Sequence, residues 1–416
     1  MPRYWWAVVT IGLSIFMATL DLTIVALALP TIAQNFHLTA EAMSSVTLGY
    51  TATLTLLLIP AGQISNRFAP QKIFIVGVLG FAASSVLCAL SFNLPTLVGS
   101  RILQGAFGAL LTTLGVALIG AIVPPTARGR AMSISGMLAP LGLVTGPALG
   151  GLLLSRFPWP SIFYVNVPVS IIAVLLALWA LKGASFGENR RRAGIQQWST
   201  ILKLPSFDFA LVCLFFMSLV AGSIYFLLPF DLIKVQNLPS DVAGAALLFQ
   251  PLGLVIIAPL SGYLTDRYGA KPMLLTGISL GVVGMALYTT VLGAPTSVAN
   301  LDWRFLITGL GFGMFAGPVQ ALIVSIVPRQ ALGSTGALIG LARNLGTAIG
   351  PVLVSLIWLM ITDVAAQMVI GAMTIIGLAL IALGFAFLAT RKGAQTEEQQ
   401  PAQAATVQPV QTSSTR

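Results

Sequence analysis

The chain has 416 residues, of which 57% are hydrophobic and 8% charged; a water-soluble globule, typically about 25% charged, is excluded, and the chain reads as an integral membrane protein. The net charge of +10 does not mark a nucleic-acid surface, because the basic residues recur in short clusters between apolar runs, a pattern that orients a protein in a membrane. The two cysteines, Cys88 and Cys213, both lie in apolar runs and support neither a disulfide framework nor a metal site.

Taken in order, the apolar runs predict an all-α protein of twelve membrane-spanning helices, near 5–29, 43–63, 73–92, 96–123, 131–155, 161–181, 207–230, 242–263, 272–292, 302–327, 334–360 and 365–389. Roughly 20 apolar residues suffice to cross a bilayer, and the longer runs fit tilted or kinked helices. The first run ends in a cleavage-like Ala26-Leu27-Ala28, yet its apolar core is too long for a signal peptide, so it is read as a retained helix. Inside it sits Asp21. A charged carboxylate at mid-span costs about 2.5–3.5 kcal/mol on insertion scales, so such residues face a bundle interior or a watery cavity and act there. The alternative is a protonated acid hydrogen-bonded to a neighbouring helix as structural glue. Every other acid is placed in a loop, the tail or a helix end.

If the N-terminus is cytoplasmic, 16 of the 21 basic residues fall on the cytoplasmic side, among them Arg3, Arg67, Lys72, Arg128, Arg130, the run Arg190-Arg191-Arg192, Arg267 and Lys271. That asymmetry places both termini inside. Arg101 in the fourth span and Arg343 in the eleventh either snorkel to a headgroup or face a cavity, and the cavity reading is adopted for both. Tyr50 in the second span is a further cavity candidate. Residues 182–206 form a polar linker between two six-helix halves, 1–181 and 207–390, and the tail 391–416, rich in Gln, Thr, Ala and Pro, is expected to be disordered.

The halves repeat. The stretch from Gly62 through Asn66 and Arg67 to Lys72 returns 200 residues later from Gly262 through Asp266 and Arg267 to Pro272. Gly142, Gly146 and Pro147 return 204 residues later as Gly346, Gly350 and Pro351. Two echoes at nearly one offset imply a parallel repeat, an arrangement of many secondary transporters, whose site lies between the halves.

On these motifs the chain resembles the major facilitator superfamily, and within it the proton-driven multidrug antiporters. The run Gly142 to Gly151 matches the antiporter signature GxxxGPxxGG, with Gly142, Gly146, Pro147 and Gly150 in place. Four-residue glycine spacing lets another helix approach closely, and Pro147 leaves a carbonyl unpaired and bends its helix; ordinary close packing is the other reading. Residues 20–30 match LDxTIVNVALP with Ala26 for Asn, so Asp21 resembles the family's membrane-embedded acid of proton or cation handling. Arg101, Gln104 and Gly105 match RxxQG, whose arginine the resemblance implicates in proton transfer. Trp159, Ile162, Phe163, Asn166 and Pro168 resemble a pattern of the fourteen-helix branch, on a chain with twelve spans. The cytoplasmic gate motif GxLxDRxGRR has lost its acid in the first copy, where Asn66, Ala69 and Pro70 stand for Asp, Gly and Arg, while Gly262, Asp266, Arg267 and Gly269 keep it in the second. Asn66 is either a weakened latch or a turn residue in a loop that needs only its shape.

No enzyme constellation emerges. The single histidine, His37, has no Cys or carboxylate cluster around it, and the glycine-rich Gly309 to Gly313 lies inside a span and follows no strand. The expectation is therefore a secondary transporter of the plasma membrane without cofactor: a monomeric, proton-coupled efflux antiporter of drugs or other small amphipathic compounds. The alternatives are an exporter of sugars, amino acids or other small metabolites, and a non-transporting sensor on the same fold. Small-molecule substrate, protons and lipid bilayer are the expected partners, and nucleic acid is not.

Overall fold

The computed structural model describes residues 2–38, 40–182, 204, 206–292, 296–328 and 331–404. These form long helices and no strand, as backbone groups in hydrocarbon must be satisfied within their own segment. We number the spans α1 (Arg3–Asn35), α2 (Ala40–Arg67), α3 (Pro70–Ala89), α4 (Leu94–Ile122), α5 (Arg128–Leu154), α6 (Ser161–Ala180), α7 (Phe207–Phe230), α8 (Val242–Tyr268), α9 (Ala270–Thr289), α10 (Val298–Ile326), α11 (Leu332–Trp358) and α12 (Val364–Ala404). Eleven are apolar and long enough to cross a membrane by hydropathy; α5, at 27 residues and so about 40 Å long, is the twelfth.

The boundaries differ from the sequence reading where polar residues extend an apolar core. Helix α1 runs on to Asn35, and α6 breaks for one residue between Ser161–Tyr164 and Asn166–Ala180. Helix α12 continues to Ala404, past residue 390 where the tail was expected to begin; its apolar segment ends at Thr390, and the Ala, Gln and Glu that follow are good helix formers. Most of the linker, 183–203, and the end of the tail, 405–416, lie outside the described residues.

Local chemistry sets the ends. Asn93 caps α4 through a reciprocal box with Thr96. Gly269 ends α8 at φ +83°, a left-handed conformation open to glycine at little cost. At the matching point of the first copy Ala69 is extended, and Pro70 opens α3 directly, so that loop needs no glycine.

The glycines of the repeat hold helices together in pairs. A Cβ on Gly142 would lie 2.7 Å from the Phe16 carbonyl oxygen, and one on Gly146 2.9 Å from Thr23 Cβ, so α5 lies directly on α1. In the second half a Cβ on Gly346 would sit 2.5 Å from the Phe215 oxygen, and one on Gly350 2.7 Å from the Ser223 nitrogen, so α11 lies on α7 in the same way. Gly150 continues the seam against Ile24. Pro351 stands inside α11; the side chain of Pro147 lies outside the described residues.

Between the halves the close approaches fall at one end of the bundle, the end that carries Arg67, Arg128 and Arg267. There Gly62 of α2 meets Gly333 and Ala337 of α11, Gly262 of α8 meets Gly129 and Arg130 of α5, and Gly317 of α10 meets Ser133 of α5. Toward the other end α11 turns to α7 of its own half. The bundle is thus closed at its basic end.

Gly146→Leu should abolish transport while leaving the protein in the membrane, because a bulky side chain cannot enter the α1–α5 seam. Transport activity alongside the amount of membrane-inserted protein checks it; normal transport would show the seam to be unnecessary.

Candidate functional site

Four helices of the first half bring five polar groups to a single enclosed point, two of them from α4. Asp21 of α1 is fully buried and Arg101 of α4 is 1% exposed. Arg101 Nη1 lies 2.6 Å from Asp21 Oδ2 and 2.6 Å from Gln104 Oε1. Gln104 Nε2 donates to Asp21 Oδ1 at 3.0 Å and to Ser85 Oγ of α3 at 2.7 Å. Asn166 of α6 donates through Nδ2 to the same Asp21 oxygen at 2.7 Å and to Ser85 Oγ at 2.8 Å. The carboxylate therefore receives three charged or amide donors, the arrangement that holds a buried anion.

The helix register explains the convergence. Arg101 and Gln104 are three residues apart and share a face of α4. Arg101 stands seven residues into α4, Ser85 four residues before the end of α3, and Asn166 near the start of α6, so the cluster lies toward the end of the bundle opposite the closed contact. The Arg101 guanidinium also lies 4.3 Å over the Tyr50 ring, a cation–π contact that helps accommodate a buried charge.

Two expectations, the cavity placements of Arg101 and Tyr50, are corrected here. Arg101 neither snorkels nor faces a space between the halves; it is enclosed inside the first half, because Asp21 supplies the counter-charge that lets it be buried. Tyr50, expected in the cavity, is 2% exposed and forms the floor under Arg101. Asp21 is enclosed in the bundle interior and paired. Arg343 of α11 is partly exposed, and among the described residues no hydrogen bond or ion pair reaches its guanidinium. It stands between Gly340, where an added Cβ would lie 3.2 Å from Leu58 of α2, and Thr347, which abuts Gly222 of α7. Arg343 thus sits just beyond the contact where α11 leaves the first half.

At the basic end the second-copy motif makes a latch. Asp266 Oδ1 accepts from the Gly129 backbone N–H at 2.6 Å, and Oδ2 from the Arg130 N–H at 3.2 Å and from Arg130 Nε at 2.8 Å. A carboxylate at the start of α5 complements the helix dipole, and the ion pair reinforces it. Arg67 and Arg267, the motif arginines, are exposed; among the described residues Arg267 reaches Tyr263 and Tyr268. The cation of the latch is Arg130, which the motif does not contain. The Asn66 side chain lies outside the described residues, while its neighbour Gly62 touches Gly333 and Ser334 at the start of α11 as Gly262 touches Gly129 and Arg130.

Sequence reasoning gave no role to Asn166 or Ser85. The available signal was a polar side chain in an otherwise apolar helix, which Asn166 and the Ser84-Ser85 pair both carry. Among the described residues no group of His, Cys, Asp or Glu is placed to hold a metal ion.

The family model described as Major Facilitator Superfamily matches residues 11–351 and 234–412. The riboflavin transporter RibZ of Clostridioides difficile is 30% identical over 401 residues, covering 84% of this chain and 87% of RibZ. The tetracenomycin C resistance and export protein of Streptomyces glaucescens is 27% identical over 406 residues, covering 84% of this chain and 74% of that protein. The crystal structure of the transporter FucP in its outward conformation superposes with a TM-score of 0.75 at 13% identity, covering 93% of this chain and 99% of FucP, a likeness of fold.

Asp266→Asn should loosen the closed end. Losing a carboxylate at a helix N-terminus and its ion pair removes about 1–2 kcal/mol in a partly buried setting, which shifts a two-state equilibrium roughly 5–30-fold. Labelling of a cysteine introduced on the open side should slow correspondingly; an unchanged rate would show that Asp266 does not hold the closed end.

Proposed function

The chain belongs to the major facilitator superfamily, and from that premise we propose that this secondary transporter is a proton-coupled antiporter exporting drugs or other small amphipathic compounds across the plasma membrane. The observation that carries the proposal is the enclosed cluster of Asp21, Arg101, Gln104 and Asn166: an ionisable acid tied to an arginine, a pair that a proton can break. The antiporter signature on α5, the export of tetracenomycin C by a relative, and the absence of any nucleotide-binding motif in the sequence agree with it.

In the proposed cycle the basic end is cytoplasmic, so the conformation described is outward-facing. A proton reaching Asp21 neutralises the acid and frees Arg101, whose charge stays buried beside the Gln104 oxygen, the Val46 carbonyl at 3.5 Å and the Tyr50 ring. Leaving a buried charge without its partner is strongly destabilising, so α1 and α4 shift until Arg101 is better satisfied. Helix α1 carries α5 with it through the seam at Gly142, Gly146 and Gly150. The start of α5 is the part held by Asp266, so the proton acts on the latch through one rigid helix pair. Release of the proton inside restores the Asp21–Arg101 pair. Gln104 is a positioning residue that keeps acid and arginine in register.

Export or uptake of a neutral or anionic metabolite is the second reading, favoured by the riboflavin transporter RibZ and by the unpaired Arg343. Efflux from cells expressing the protein, measured over cationic, neutral and anionic compounds with and without an uncoupler, tests both. Expected is uncoupler-sensitive efflux of amphipathic cargo that falls by at least tenfold in Arg101→Ala. Efflux indifferent to the uncoupler would refute proton coupling, and proteoliposomes showing no flux for any cargo would favour the sensor.

A further inference from the structure

A second acid is enclosed outside the Asp21 cluster. Asp231 follows the last residue of α7 and opens a π-helical turn, Asp231–Val235, an irregularity frequent at functional sites. It is fully buried. Its Oδ2 accepts a hydrogen bond from the Tyr288 hydroxyl of α9 at 2.5 Å, while among the described residues its Oδ1 has no hydrogen-bond partner. The ion pairs among the described residues are Asp21–Arg101 and Asp266–Arg130, so no described cation is paired with this carboxyl.

On α10, Arg304 donates through Nε to the Leu287 carbonyl at 2.9 Å, reaches the Asn300 carbonyl, and lies 4.2 Å over the Trp303 ring; Asp302 of the same helix would only add like charge. Helix α12 brings no titratable residue between 364 and 390, and Asp208 stands at the far end of α7. Lys234 of the same turn and Asp241, just before α8, have side chains outside the described residues.

The repeat sharpens the contrast. Tyr288 and Arg304 stand 203 residues after Ser85 and Arg101, at corresponding positions of α9 and α10, while Asp231 stands 210 residues after Asp21, just past the end of α7. In the first half the arginine is on the acid. In the second it is on backbone carbonyls, and the acid has neutral partners, Tyr288 and Gln236. A buried carboxyl without a cation is disfavoured in its charged form, and an unpaired oxygen adds to the cost. Burial pushes the Asp231 carboxyl above its ordinary value, and the side-chain hydrogen bonds of Tyr288 and Gln236 pull the other way.

We infer that Asp231, sealed by Tyr288, is a second proton-binding site, carried by the second half and occupied by a proton in this conformation. It does not depend on Asp21 being the coupling acid. Each half then binds one proton, the first in exchange for an ion pair and the second by filling an unpaired carboxyl.

Infrared spectra of the purified full-length protein across a pH series, in light and heavy water, test this. A protonated-carboxyl band should be present at neutral pH in wild type and in Asp21→Asn, missing in Asp231→Asn, and lost in wild type as pH rises. In Tyr288→Phe, which removes a donor to the ionised form, the loss should move to higher pH. The folded acid holds its proton to higher pH than the unfolded chain, so its contribution to stability is present at low pH and is lost as pH rises through the folded value. Melting curves of Asp231→Asn should lack that decline. A spectrum in which Asp231→Asn removes no band, or a band that does not titrate, would overturn the proposal, whatever becomes of Asp21.

Discussion

The pairing of Asp21 with Arg101 is the constraint on which the first half depends. Both groups are withdrawn from solvent, and removing one partner of such a pair costs about 3–5 kcal/mol because the other is left buried and charged. Gln104, Asn166 and Ser85 complete the network, so α1, α3, α4 and α6 are fixed at one point by polar contacts while apolar surface faces lipid. Between helices in a bilayer burial of apolar area gives little net drive, and small residues with a few hydrogen bonds set the packing. Here the small residues lie along α1 and α5, and the hydrogen bonds lie at Asp21. A change of charge at that acid is therefore felt by the helix that reaches the closed end of the bundle.

The two halves are related by the repeat but have divided its parts unequally. The first half keeps the acid and arginine together and has lost the acid of its gate motif at Asn66. The second half keeps the gate acid, Asp266, on the amides of α5, and has separated arginine from acid, placing Arg304 on carbonyls and Asp231 under Tyr288. The carboxylate that closes the bundle thus comes from one half and the enclosed ion pair from the other. Transporters of parallel repeats move one half against the other around a site between them.

Much of this was legible in the sequence. The twelve helices follow from runs of apolar residues too long to be anything else, and the repeat from glycines and charges at an offset near 200. Asp21 stood out because an acid in a span is expensive. What could not be read was pairing. Spacing along α4 puts Arg101 and Gln104 on one face, but no local pattern says that this face meets α1, so arginine and tyrosine were placed in the cavity when they are enclosed within one half. Arg130 was counted as an orienting charge and is the cation of the latch. Asp231 was passed over because it follows the last apolar residue of its run, and its burial depends on Tyr288, 57 residues away.

The role assigned to Asp21 is open to a direct measurement in proteoliposomes, with the pH gradient and a potassium diffusion potential set independently. Wild-type protein should accumulate its cargo against a concentration gradient when the pH gradient alone is imposed. Asp21→Asn, which keeps the size and hydrogen-bonding capacity of the side chain but cannot exchange a proton, should still bind cargo and equilibrate it without accumulation. Accumulation driven by the pH gradient in Asp21→Asn would contradict the assignment and place the coupling proton elsewhere in the molecule.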